Sequence, residues 1–504
     1  MDMRVRQGRS APSPQAVRAP VCPMEAAPAP KREPPPPPQP GATLATQAVP
    51  APEGGAAVLA RSRPTPFGSR ATRSVRAASS SLAARAVSAS LALAALTAAC
   101  ASGIDDRAAV TTVRDTVVVH DGADVVVRIT ENPSDRLEVP EWRLGETPEW
   151  AVGGIDVSEE LALFRVAGAY RLSDGRTVVA DGGSTRLKVF GRDGALVDAI
   201  GGRGEGPGEF RRIDHFARLP GDSLVVWDLG LARVTVFDPA GAAVRTVRIG
   251  SEKGSPSSYV VGVFADGSLL ARGFIDLGGT VPSGLRFPEA PLLRLAADGT
   301  LADSLGPVPT SEMYYVPIEG GISFYAPPFA RSTEVVAAGD RLYLGETGRA
   351  ELRVHRPDGT PERFIRWSHP SRPVDAAAMA RAREHALEES GSAIQRQNIE
   401  RMFRDVPMPS TMPAFARLRV DEGGDVWIEE YRPPWEEGDG RWLVFGAGGR
   451  LRARVTMPAG FEPTQIGPDF VLGIARDEFD VEQLRLYRLH RSGAPRRPDR
   501  AAGS

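Results

Sequence analysis

The chain has 504 residues, with 61 basic and 63 acidic side chains and two cysteines, Cys22 and Cys100. Residues 1–90 hold twelve basic and four acidic residues, which leaves 49 basic against 59 acidic in the remainder; that acidic balance excludes a nucleic-acid partner and an anionic lipid-binding face, both of which need clustered Lys and Arg. No cysteine follows Cys100, so a disulfide framework, a zinc ribbon and a thiol nucleophile are all excluded there.

Residues 1–85 are rich in Pro, Ala and Arg and include "PPPPP" at 34–38. Such a composition buries too little apolar surface to offset chain entropy, and it reads as a disordered extension. At 86–100 an apolar run follows Arg85 and ends "LTAAC" at Cys100. The run is shorter than the ~20 residues a spanning helix needs, and it has the length of a signal-peptide core. Small residues before Cys100 resemble a lipobox, which makes Cys100 the expected lipidation site. Thr97 stands where that motif usually has Leu. The segment lies far from the first Met, as expected if the true start falls near Val75. Residues 101–154 read as a lead-in.

Two windows then repeat at a fixed offset. "LSDGRTVVADGGSTRLKVFGRDGALV" (172–197) and "LPGDSLVVWDLGLARVTVFDPAGAAV" (219–244) share eleven identical positions out of 26 without a gap. Each reads as a turn, a β-branched run, a polar turn, a second run and a closing turn. Weaker copies begin at Gly267, Asp340, Gly424 and Asp469, in steps of 45, 73, 84 and 45 after Asp222. The two long steps contain a Gly/Pro-rich loop at 274–291 and a helix-forming stretch at 373–404 that breaks near Gly391. Met379, Ala386, Leu387, Ile394, Ile399 and Met402 are its candidate inward contacts. Six units of about 45 residues have the size of four-stranded propeller blades, none of which buries both faces alone. The fold class is therefore all-β, a six-bladed β-propeller over 155–491, with the helical insertion and a disordered tail at 492–504. Closure of the ring calls for a strand from 155–170 added to the C-terminal unit.

"FRVAGAYRLSDGRTVVADGGSTRLKVF", "GRGEGPGEF", "RLPGDSLVVWD", "GDVWIEEYRPP" and "RWLVFGAGG" together resemble bacterial six-bladed β-propellers of the NHL-repeat-like type. The likeness covers roughly 125–491. It implies a propeller that is lipid-anchored or secreted, and it specifies fold better than function.

The glycines of "GGRGEGPGEF" (201–210) do not open a helix, so they are not a phosphate cradle. They read as the return from one blade to the next, with Phe210 plugging the gap between blades. Asp181, Asp228, Glu346 and Glu430 occupy matching places in four units. Asp181 and Asp228 are expected to cap their turns and to pair with Arg186 and Arg233. The functional alternative is an acidic ring at the channel mouth that attracts a cation or basic ligand, calcium included. Of the six histidines, only His215 resembles a channel-lining zinc ligand of NHL-type enzymes. Tyr431, Trp435 and Trp442 form either an aromatic ligand surface or packing between blades. No Gly-x-Ser-x-Gly elbow and no HExxH motif is present. The sequence thus points to a lipid-anchored, extracytoplasmic scaffold in the bacterial envelope. Its expected partner is an envelope protein, peptide or glycan, and its only membrane contact is the anchor. The alternative is a metal-dependent, lactonase- or lyase-like enzyme.

Overall fold

The structure, a computed structural model, describes residues 113–119, 126–135, 137–250, 258–275, 283–318, 321–477 and 479–491. The extension 1–85, the signal core and lipobox with Cys100, and the tail 492–504 lie outside these residues.

Six antiparallel four-stranded sheets follow one another along the chain. Blade 1 is built from Val166–Arg171, Thr177–Asp181, Arg186–Phe190 and Leu196–Gly201. Blade 2 repeats it with His215–Arg218, Leu224–Asp228, Arg233–Phe237 and Ala243–Arg248. The rigid offset of 47 is visible in the turns. Gly175 (φ 89°) and Asp222 (φ 65°) hold the same left-handed position between first and second strands, where Gly is free and Asp is among the better tolerated residues. Blades 3, 4 and 5 open with the inner strands Ser258–Val263, Thr333–Ala338 and Phe415–Val420. Blade 6 has three strands of its own, Phe461–Ile466, Phe470–Arg476 and Glu482–His490.

The N-terminal strands complete and bind the wheel. β1 (Arg114–Val119) and β2 (Val126–Asn132) form a hairpin, and β2 lies parallel to the outer strand of blade 4. β3 (Glu141–Leu144) pairs with the outer strand of blade 5 and with Glu482–His490 of blade 6. β4 (Trp150–Gly153) is the fourth strand of blade 6. The closing strand is therefore 150–153, not a strand from 155–170. Gly153 and Gly154, at φ 87° and 111°, turn the chain out of blade 6, and Val166–Arg171 becomes the inner strand of blade 1. Inner strands of successive blades lie side by side, and Phe461–Ile466 returns to Val166–Arg171. The fold is a six-bladed β-propeller.

Six apolar clusters fill the six spaces between blades. Leu172, Leu187 and Phe216 lie between blades 1 and 2, and Phe210, fully buried, plugs that gap as read from sequence. Trp367, Phe415 and Phe445 fill the gap between blades 4 and 5, and Trp142, Trp427 and Trp442 that between 5 and 6. Phe470, Leu484, Val179 and Phe190 join blade 6 to blade 1. Each buried side chain of this size contributes about 1.5–3 kcal/mol, and every blade depends on two neighbours for it.

The insertions fold together. α1 (Ala376–Glu388) is capped by Asp375, and α2 (Ala393–Asp405) by Ser392. A three-stranded sheet forms from Gly284–Arg286, Met313–Ile318 and Gly321–Tyr325. The supposed loop at 274–291 thus contains one strand of this sheet and the start of blade 3's third strand, Glu289–Leu295. Ile399 and Met402 are buried as expected, whereas Ile394 is exposed.

Candidate functional site

In a propeller blade the turn after the second strand and the link to the next blade emerge on the same face, because the strands alternate in direction. That face carries the glycine-rich link, both insertions and the loop at 431–439. The four largely exposed phenylalanines among the described residues, Phe164, Phe274, Phe324 and Phe479, stand on it. Tight turns make up the opposite face, as in the Asp-capped turns at 174–176 and 266–268.

The central channel is not an open pore. At the tight-turn face Arg218 of blade 2 reaches Glu422 of blade 5, on the far side of the ring, at 3.3 Å. Gln465 of blade 6 bonds Glu422 and the backbone of Arg171 beside them. Above this floor, blades 4 to 6 present a belt of charge. Arg419 pairs with Glu462 at 2.7 Å, Arg417 with Glu429 at 2.8 Å, and Arg476 with Glu482 at 2.8 Å. Burial pushes the Glu462 carboxyl up, but Arg417, Arg419 and Arg476 together hold it below its ordinary value. Glu334 shifts the other way: its burial outweighs the pull of Arg419. On the inner strand of blade 3, Tyr259 and Val263 pack against the apolar cluster between blades 2 and 3, and Val261 against that between blades 3 and 4.

Among the sequence-derived candidates, the carboxylates Asp181, Asp228, Glu346 and Glu430 do end the second strands of four blades. Each of them has a partner within the protein. Asp181 accepts from Phe164 N, Gly183 N and Ser184 Oγ. Asp228 accepts from Arg211 N and Leu231 N. Glu346 pairs with Arg349 and Glu430 with Arg441. The expected pairs with Arg186 and Arg233 are replaced. Asp181 pairs with buried Lys188 at 2.9 Å, while Arg186, opposite it in register, is exposed. Arg233 instead holds the glycine-rich link by donating to Glu205 O, Gly206 O and Glu209 O. That fork of donors makes the link a fixed corner.

His215 begins the inner strand of blade 2. Burial lowers it to about 4, so its ring is neutral at physiological pH. Among the described residues no three His, Cys, Asp or Glu side chains converge as a metal-ligating group. The aromatic trio packs rather than presenting a surface. Trp442 is 1% exposed between blades 5 and 6. Tyr431 and Trp435 lie against α1, with Trp435 edge-on to Phe329 at 5.7 Å. Sequence reasoning missed Lys188, the only lysine among the described residues, although a lone Lys inside an Arg-rich chain's "RLKVF" strand was a usable signal. The belt was not findable that way, since its members come from separate repeats with no shared spacing.

A family model described as a 6-bladed beta-propeller, DUF5128, matches residues 161–246. The chain is a six-bladed propeller in sequence pattern as in structure. Among solved structures it is similar to a DUF4221 protein from Bacteroides vulgatus, at 10% identity and TM-score 0.41, covering 71% of this chain and 100% of that one. A Bacteroides fragilis protein gives 12% identity and TM-score 0.38, over 69% of this propeller chain and 98% of the other. Regucalcin from Agrobacterium tumefaciens gives 11% and 0.34, over 71% and 99%. No curated protein matches the sequence. Among the described residues no helix is long and apolar enough to cross a membrane.

Proposed function

We propose that this propeller is an extracytoplasmic, lipid-anchored binding scaffold that takes an envelope protein, peptide or glycan on its insertion-bearing face. The observation that carries the reading is the segregation of exposed aromatic surface. Phe164, Phe274, Phe324 and Phe479 are 56–70% exposed, and all belong to loops or insertions of one face. Loops carried by a rigid scaffold are where binding residues concentrate, and these four aromatic rings stand on such loops. The anchor rests on the signal core and the small residues before Cys100.

Two experiments test the two halves. Covalent capture from intact envelopes is compared between the natural chain and a Phe164→Ser/Phe274→Ser/Phe479→Ser variant of equal melting temperature. A partner held by the natural chain and lost from the variant is the expected result, and equal capture by both refutes the binding face. Intact mass of the native protein is expected to show a chain that begins at a lipidated Cys100; residues still attached before it refute the anchor.

A further inference from the structure

Three exposed apolar side chains, Ile155 (66%), Phe164 (64%) and Phe479 (70%), gather where blade 6 meets blade 1. Leu163 bridges to Glu482, and a Cβ added at Gly153 would lie 2.8 Å from Glu482 O and 3.1 Å from Leu163 Cδ1. Ile155, Phe164 and Phe479 each stand within three residues of that meeting point, no more than about 10 Å of extended chain. Both phenylalanines rise from fixed backbone. The Phe164 amide donates to Asp181 and the Phe479 amide to Asp477. In each case the next residue is held at positive φ, Arg165 at 55° and Asp480 at 58°, a conformation unfavourable to residues with a side chain. The same two segments supply the surrounding charge. Asp156, Glu159 and Glu160 of the connector and Asp477 and Asp480 of the 477–481 turn are exposed. The guanidinium groups beside them are Arg165, Arg186 and Arg485, while Arg476 is engaged by Glu482 at 2.8 Å. Five carboxylates against three guanidinium groups leave the rim negative.

We propose that this patch docks a basic segment of an envelope protein. An apolar or aromatic side chain of that segment lies over Phe164 and Phe479, and its Lys or Arg residues face the carboxylates. An apolar patch in water with a polar rim is the anatomy of a protein interface. The sign of the rim chooses the partner: an acidic segment or an anionic lipid headgroup meets like charge, whereas a basic segment meets opposite charge and is steered toward it. Backbone already fixed beneath both rings lowers the ordering cost of docking. Docking of this kind rests on the binding role of the insertion-bearing face and adds the charge of what that face takes.

The test is calorimetry on the full chain with three short peptides of equal length. One alternates Lys with Phe and Leu, one has Glu in place of every Lys, and one has Ser in place of every Phe and Leu. The first is expected to bind, at least about tenfold more tightly than the other two, and to weaken about threefold or more between low salt and 0.3 M. Phe164→Ser/Phe479→Ser is expected to weaken it about tenfold or more, and Asp156→Asn/Glu159→Gln/Glu160→Gln about threefold or more. Phe274→Ser/Phe324→Ser, on other insertions of the face, is expected to leave it unchanged. Absence of binding by the first peptide, equal binding by the acidic one, or undiminished binding to either of the first two variants in folded form overturns the basic partner. Capture from envelopes separates this from the broader reading. Capture lost from Phe164→Ser/Phe479→Ser but undiminished in the carboxylate variant overturns the basic partner and leaves the binding face standing; capture undiminished in both removes the face as well.

Discussion

Lys188→Met probes how the ring is locked where it closes. Lys188 and Asp181 form a pair 2.9 Å apart, with side chains 4% and 3% exposed. Lys188 also donates to Ala162 O at 2.6 Å, and Asp181 accepts from Phe164 N at 3.0 Å. Both therefore hold the 155–165 connector that leads from β4 into blade 1. Removing one member of a buried pair costs about 3–5 kcal/mol because the other charge is stranded. Asp181 keeps three donors in the variant, which places the loss near the lower end, about 3 kcal/mol. With an unfolding entropy of ~2.1 cal/mol/K per residue over roughly 350 ordered residues, the melting temperature falls by about 4 °C. Adding Asp181→Asn to Lys188→Met removes the stranded charge and returns at least about 1 kcal/mol. Arg186→Met, the register-opposed and exposed neighbour, costs less than about 0.5 kcal/mol. Scanning calorimetry measures all four proteins, and hydrogen exchange at the Phe164 and Val166 amides reports the connector directly. Equal losses for Arg186→Met and Lys188→Met, or a double variant that is simply additive, would refute the clasp.

Asn132→Asp is expected to destabilise by about 2–4 kcal/mol, because Asn132 donates to Arg366 O and Gly449 O while accepting from Leu451 N, and a carboxylate cannot donate to two buried carbonyls. Urea denaturation reads it. His215 titrates near 4 when folded against 6.5 when free, so the unfolded chain binds the extra proton between those values. Its contribution to stability is complete above pH 6.5 and is lost as pH falls through about 4. His215→Phe should flatten that part of a plot of denaturation midpoint against pH. Gly201→Ala puts a Cβ 2.7 Å from the Phe210 ring and 2.8 Å from Gly208 O at φ 86°, which costs at least about 2 kcal/mol by thermal melting. Gly221→Ala, at φ 80° with open space around it, costs only the ~1 kcal/mol of the backbone conformation.

Much of this architecture was legible because a propeller repeats local chemistry. Turn residues and β-branched runs recur in each blade, and the 47-residue offset between blades 1 and 2 exposes the unit that the weaker copies follow. The ring's closure was legible as a need, but its strand was misplaced: the closing strand, 150–153, is only four residues long, too short to show a strand pattern, and the longer apolar pattern beyond the Gly153–Gly154 turn leads into the inner strand of blade 1. The hairpin strands at 313–318 and 321–325 stayed hidden inside a step that the 274–291 loop seemed to explain. Site geometry was far less legible. Asp181 and Asp228 mark their positions correctly, yet what each bonds depends on Lys188 and Arg211, and neither spacing nor symmetry names those partners. Arg218 and Glu422 meet only because the ring brings opposite blades within reach, a relation that no window of sequence contains.

The outer edges of the blades explain why the N-terminal segment runs where it does. Blades 1, 2 and 3 end in free outer strands that carry Asp198, Arg245 with Arg248, and Pro307 with Pro309. Charge and proline discourage pairing with another chain, so these edges need no cover. Blades 4, 5 and 6 are instead covered by β2, β3 and β4. The cover falls on the half of the ring that holds the charged belt. Between blades 5 and 6 the inner strands are joined by polar links, Arg419 to Glu462 and Glu422 to Gln465. Pairs of that kind give less net stability than apolar packing, because desolvation offsets their attraction. β3 crosses that seam on the outside, bonded to blade 5 on one edge and blade 6 on the other, and it brings Trp142 to Trp427 at 5.8 Å. The polar links between these inner strands are thus compatible with a closed ring because β3 and the apolar cluster around Trp142, Trp427 and Trp442 hold those blades together.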